Sequence, residues 1–128
     1  AHHPDIQDIN VVCKPALQAT ADDIRACQAI ILFTTENLGY MSGALKDFFD
    51  RCYYPVLEEK QGLPCAIMIR AGHDGTGTRR AIEAILTGLR WQQVHEVVIL
   101  RGQWQDAFLA QAEELGLYMA AGLEAGIW

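Results

Sequence analysis

Apolar residues along this chain occur in two kinds of run, short unbroken blocks and longer stretches in which they recur every three or four positions. The blocks read as buried strands and the spaced stretches as amphipathic helices. Ile9-Asn10-Val11-Val12-Cys13 is the first expected strand, closed by Lys14-Pro15, where proline cannot extend a ladder. Thr20 with Asp23 forms a capping-box pattern for a short helix whose Ile24 and Cys27 face inward. Ala29 to Thr34 is apolar without alternation, as expected of a strand covered on both faces and deep in the core. After a loop from Thr35 to Ser42, Leu45, Phe48, Phe49 and Cys52 mark a helix with Lys46/Asp50 and Asp47/Arg51 pairs outside, which Pro55 should kink or end. Cys65 to Ile69 is the next strand, and it runs into a glycine-rich loop, Gly72 to Gly77. The helix that follows carries Ala81, Ile82, Ile85, Leu86 and Leu89 on one face, and Val94 with Val97 to Leu100 supply a further strand. The last helix runs from about Asp106 to Leu123, with Phe108, Leu109, Ala112, Leu115 and Met119 turned to the core. Ile31, Ile67, Phe48 and Phe49 are expected between helix and sheet.

Strands alternating with helices predict an α/β fold, a parallel sheet with helices on both faces. A chain of 128 residues suits one domain spanning 1–128, and it contains no internal repeat or low-complexity tract. Ligands of such sheets sit beyond the carboxyl ends of the strands. That rule selects two loops, Thr34 to Gly43 and Ala71 to Thr78.

Composition narrows the ligand. A net charge of −6, with Lys and Arg scattered, leaves no electrostatic footprint for DNA or RNA. No apolar run is long enough to cross a bilayer and the start carries no signal-peptide pattern, so the cytoplasm is the expected location and no membrane partner is expected. Cys13, Cys27, Cys52 and Cys65 form no CxxC pair and lie in apolar segments, which favours buried free thiols over disulfides or zinc. His2 and His3 make no metal site with anything nearby, and His95 is expected in a strand with a structural role. Trp91, Trp104 and Trp128 are open between core, rim and subunit contact.

The first loop, Thr34-Thr35-Glu36-Asn37-Leu38-Gly39-Tyr40-Met41-Ser42-Gly43, combines small polar groups, two glycines and one aromatic before a helix N-terminus. Gly39 and Gly43 permit close backbone approach, Tyr40 offers a stacking face, and Ser42 is either a plain N-cap or part of a binding loop. The second loop, Ala71-Gly72-His73-Asp74-Gly75-Thr76-Gly77-Thr78, is neither a GxGxxG fingerprint nor a Walker loop. Its amides and helix dipole, with Arg79 and Arg80 just inside, suit a phosphate or carbonyl oxygen; an ordinary Asp-Gly turn is the alternative. His73 is either a solvated polar group or a group that polarises a ligand oxygen.

Thr35 to Arg51 resembles the segment after the third strand of the flavodoxin-like NAD(P)H-dependent FMN reductases and quinone reductases. The resemblance extends to the element order of the remaining chain and implies a flavodoxin-like three-layer sandwich with a parallel sheet. It implies FMN as cofactor, with ring contacts at Thr35, Glu36, Asn37, Gly39, Tyr40 and Met41, and a second border at Gly72, His73, Asp74 and Gly75. It also implies NADPH or NADH as co-substrate, a flavin, quinone or similar small molecule as electron acceptor, and a homodimer or higher homo-oligomer. A flavin carries the redox chemistry itself, so no Ser/His/Asp or Cys/His set is needed and none occurs. A flavodoxin-type electron carrier without nicotinamide chemistry and a non-catalytic binding domain are the alternatives. Only eight residues precede Ile9, too few for the strand, phosphate loop and helix that open such a fold. The expectation is therefore that the first strand and phosphate loop lie outside this chain.

Overall fold

A computed structural model describes residues 8–128. Two compact units are distinguished: Lys14–Gly102, and the described residues up to Cys13 together with Gln103–Trp128.

The larger unit is an open sheet with helices packed on it. In chain order it contains α1 (Ala21–Ala26), β1 (Ile30–Asn37), β2 (Tyr40–Met41), α2 (Gly43–Val56), β3 (Pro64–Ala71), α3 (Thr76–Leu89), β4 (Gln92–Gln93) and β5 (Val98–Arg101). The strand order is β2-β1-β3-β4, with β5 also paired to β3. All pairings are parallel except the short β1/β2 hairpin. Leu32 lies opposite Ile67 and Thr34 opposite Ile69, so these side chains share one face. That face meets Ile24 of α1, Leu45, Phe48, Phe49, Cys52 and Val56 of α2, and Ile82, Leu86 and Leu89 of α3. Truncating Phe48 or Phe49 to Ala in such a core costs about 3–5 kcal/mol.

Local chemistry fixes the ends of these elements. The α1 capping box forms, with the Thr20 side chain accepting from the Asp23 amide and the Asp23 carboxylate accepting from the Thr20 amide. Ser42 caps α2 by accepting from the Leu45 amide at 3.1 Å. Pro55 lies inside α2 one residue from its end at Val56, in keeping with a proline that cannot donate to the helix ladder. Arg51 pairs with Asp47 and also donates to the carbonyls of Ala16 and Ala19 at 2.8 Å each, which pins the turn ahead of α1 to α2.

Several expectations are corrected. Segment 9–13 is not a strand: it has no regular secondary structure, is mostly exposed and joins no ladder, and Asp8 before it has φ +63°. β-Branched residues favour a pleated, half-buried surface rather than strand geometry as such, and this segment has no sheet neighbour among the described residues. Cys13 is accordingly exposed, unlike the buried Cys52 and Cys65. β1 is not covered on both faces: Leu32 and Thr34 are buried, but Ile31 is 43% and Phe33 57% exposed, so Ile31 is not a core residue. The unbroken apolar block hid a strand with one open face. The strand expected over 94–100 is split into β4 and β5, because four residues (94–97) span only two of β3 (66–67). His95 lies in this excursion rather than in a strand, with Nδ1 2.7 Å from the Glu96 carbonyl.

In the smaller unit, α4 (Ala107–Glu124) buries Phe108, Leu115 and Met119 but exposes Leu109 and Ala112. The apolar content of this helix runs most of the way round, so periodicity alone assigned too wide a face. The chain then folds back so that the Trp128 indole lies over Gly122, where a Cβ would collide with it, and against Tyr118 with ring centroids 5.1 Å apart. No helix of the described chain is long and apolar enough to cross a membrane.

Candidate functional site

β1 and β3 are neighbours and run in the same direction, with Thr35 opposite Arg70. Their carboxyl ends therefore release the two loops side by side, at the edge where such sheets bind ligands.

The first loop is more ordered than an irregular connection. β1 continues through Thr35, Glu36 and Asn37, turns at Leu38 and Gly39, and returns as Tyr40 and Met41, with Glu36 opposite Met41 and Asn37 opposite Tyr40. Both turn residues have positive φ, +54° at Leu38 and +74° at Gly39, the requirement of a two-residue turn whose twist matches the strands it joins. Thr34, buried at the hairpin base, accepts from the Ser42 amide at 2.9 Å and donates to the Thr35 carbonyl at 2.8 Å. The hairpin is thus tied to the start of α2.

Of the residues singled out in sequence, Thr35, Asn37, Gly39 and Tyr40 are exposed on the hairpin and Glu36 is half-buried. Met41 is 2% exposed and belongs to the core, so its side chain supports the hairpin from beneath. Gly72, His73 and Asp74 are exposed and Gly75 is buried. Gly43 does not have positive φ and nothing crowds it, so the conformational argument applies to Gly39 alone.

The second loop closes onto α3 through Gly75, the N-cap, at φ +78° and with no side-chain cap for the helix amides. A Cβ at Gly75 would lie 2.8 Å from Ile99 Cγ2. Asp74 accepts from the Thr76 hydroxyl at 2.6 Å. Arg79, one of two arginines available to an anion, is engaged by Glu83 at 3.1 Å.

The two loops meet. A Cβ at Gly77, in the first turn of α3, would lie 2.6 Å from the carbonyl oxygen of Gly39. Fully buried Thr78 donates from Oγ1 to the Glu36 carboxylate at 3.4 Å. The hairpin turn therefore packs on the N-terminus of α3, and the carboxylate side of that contact suits the positive end of the helix dipole. Thr34, Gly77 and Thr78 complete this arrangement: they lie within the two loops selected from sequence but were not among the residues expected to touch a ligand, and Arg101, which donates to the Asp74 carbonyl at 2.7 Å, lies outside both loops. Gly77 alone left a signal there, a glycine in a helix turn that propensity disfavours.

The profile of the NADPH-dependent FMN reductase family matches residues 5–106. The chain belongs to that family. No curated protein matches it. Among solved structures it is similar to a flavodoxin from the domain Archaea, with TM-score 0.73 and 16% identity over 85% of this chain and 74% of that one. It is also similar to two cysteine mutants of flavodoxin from Pseudomonas aeruginosa, one with serine and one with alanine in place of the same cysteine, with TM-scores of 0.64 and 0.62. Each is 19% identical, over 87% of this chain and 77% of the flavodoxin. The fold is flavodoxin-like, a mostly parallel sheet flanked by helices. Family and fold together support an FMN-binding oxidoreductase.

Proposed function

We propose that the chain takes electrons from NADPH or NADH through FMN and delivers them to a small-molecule acceptor such as a flavin or quinone. The observation that carries this reading is the packing of the β1–β2 hairpin on the uncapped start of α3, at the carboxyl ends of adjacent parallel strands, in a member of the NADPH-dependent FMN reductase family.

The residues present fit the ring end of FMN. Thr35, Glu36, Asn37, Gly39 and Tyr40 would border it from the hairpin, and Gly72, His73, Asp74 and Gly75 from the second loop. Gly39 carries a positive φ that places backbone rather than side chain at the surface, which suits a flat ring with polar edges, and buried Gly75 carries one where Ile99 leaves no room for a side chain. Met41 would act through its backbone, since its side chain is buried. When bound, FMN accepts hydride from a nicotinamide and passes electrons on to the acceptor. The protein's part is to orient the ring, offer backbone hydrogen bonds to its polar edge and exclude water from one side. The exposed ring of Tyr40 supplies a stacking surface, and the buried Thr34 hydroxyl keeps the hairpin base fixed beneath it.

Likeness to flavodoxins favours a second reading, an FMN electron carrier without nicotinamide chemistry. One preparation separates the two. Natural full-length protein that is yellow and oxidises NADPH or NADH with a quinone or free flavin present is a reductase; if yellow but inert toward both nucleotides it is a carrier; if colourless and unable to take up added FMN it refutes both. Subunit pairing forms part of the proposal, and sedimentation of the flavin-loaded protein tests it.

A further inference from the structure

We propose that Arg101 is a positioning residue of the FMN site, one that orients the Gly75 amide by holding the Asp74 carbonyl. The inference rests on the reading of the 72–75 loop as part of that site.

β3 and β5 end together, with Ala71 opposite Arg101. Beyond this point the second loop is moulded to the end of β5. The Gly102 amide donates to the Ala71 carbonyl at 2.9 Å. Arg70 Nη1 donates to the same carbonyl at 2.9 Å and to the Leu100 carbonyl at 3.1 Å. Arg101 Nε donates to the Asp74 carbonyl at 2.7 Å. Gly75 then passes so close to Ile99 that no side chain fits between them.

In a planar trans peptide the C=O and N–H point in opposite directions, and the described chain has no cis peptide bonds. Holding the Ala71 carbonyl therefore directs the Gly72 N–H away from its donors, and holding the Asp74 carbonyl directs the Gly75 N–H away from Arg101. These are the amides of two of the loop's proposed flavin-bordering residues. The two anchors differ in redundancy. The Ala71 carbonyl has a backbone and a side-chain donor, so it survives loss of either. Among the described residues the Asp74 carbonyl has one donor, and that donor is Arg101. The peptide it fixes joins Asp74 to a glycine, the residue least able to hold its own torsions. A guanidinium suits the task because Nε donates along a rigid plane.

The test compares the natural full-length protein with its Arg101→Ala and Arg101→Lys variants. FMN affinity is read by flavin fluorescence, the midpoint potential of the bound flavin by reductive titration, and the Gly75 amide of the flavin-free protein by its NMR shift and hydrogen exchange. Arg101→Ala should raise the Kd for FMN about 5- to 10-fold, the worth of one charge-assisted hydrogen bond. It should also displace the flavin potential, shift the Gly75 resonance and speed its exchange, while the exposed position of Arg101 leaves the apo-protein melting temperature nearly unchanged. Arg101→Lys should recover most of the affinity. Wild-type affinity and potential in Arg101→Ala would overturn the proposal, as would a loss that follows melting temperature alone and is not rescued by lysine. Natural full-length protein that binds no FMN would refute the functional reading instead, and an unmoved Gly75 resonance would then also refute the positioning role.

Discussion

The contact between the two loops makes a quantitative prediction at Gly77. In an unencumbered helix, replacing glycine with alanine gains about 0.5–1 kcal/mol, because glycine has more backbone entropy to lose on folding. At Gly77 the new Cβ meets the Gly39 carbonyl oxygen at 2.6 Å, whereas ordinary contact begins at 3.4 Å, so the two backbones must part by about 0.8 Å. The obstacle is main chain, which cannot rotate aside, and overpacking of that kind costs about 1–3 kcal/mol. Gly77→Ala should therefore end between neutral and about 2.5 kcal/mol less stable, once the propensity gain is set against the clash. Gly116→Ala in α4, where nothing lies within 4 Å, should show the gain alone. Gly88→Ala provides the sharper control: its Cβ meets the Tyr53 hydroxyl even more closely than Gly77 meets Gly39, but that neighbour is the tip of a side chain and can swing away. Urea denaturation of all three variants, followed by circular dichroism, gives the comparison. If Gly77→Ala is as stabilising as Gly116→Ala, the hairpin does not rest on α3 and the site geometry is wrong.

Three further outcomes follow from local chemistry. Leu38 is fully exposed and held at φ +54°, a conformation that costs a leucine about 1–2 kcal/mol, so Leu38→Asn should stabilise by about 0.5–1 kcal/mol in thermal or urea melts; an equal or lower stability would refute the turn assignment. Burial pushes the Cys65 thiol up to about 12 and raises Cys52 as well, so a thiol reagent at pH 8 should label exposed Cys13 promptly and reach these two only in denaturant; labelling of Cys65 at the rate of Cys13 would contradict the core. The Lys14 ammonium, and then the Thr20 amide, hold the Asp23 carboxyl below its ordinary range. A depressed folded-state pKa stabilises above the unfolded value, about 3.9, and that stability is lost as pH falls through the folded value. Asp23→Asn should accordingly flatten the acid limb of the stability profile, and an unchanged limb would show that the capping box carries no charge-dependent stability.

The order of elements was legible because parallel strands and amphipathic helices leave distinct periods, and over 20–89 the order of the helices and main strands agrees with the structure. The failures share a cause. Segment 9–13 and β1 have similar apolar, β-branched character, yet one has no ladder and the other is covered on one face only. What a strand block lies against is a property of other parts of the chain, and composition within the block does not encode it. The excursion at 94–97 failed for a related reason: register depends on the partner strand, so two extra residues opposite β3 leave no trace in the run of valines.

The site divides along the same line. Loops at the carboxyl ends of strands follow from topology, and glycines at Gly39 and Gly75 follow from turn geometry, so both could be chosen from sequence. The contacts that make the loops one structure could not, because each joins positions remote in the chain: Gly39 with Gly77, Glu36 with Thr78, Asp74 with Arg101. All three use a backbone atom or a short polar group on at least one side, and such atoms are common to many residue types. The same property makes the contacts consequential. A carbonyl held by a distant side chain can be repositioned by a substitution outside the loop, leaving every residue that would border the ring intact. Variation in cofactor affinity or potential within this architecture is therefore expected to map to supports such as Arg101 and Gly77 as well as to the loop residues themselves.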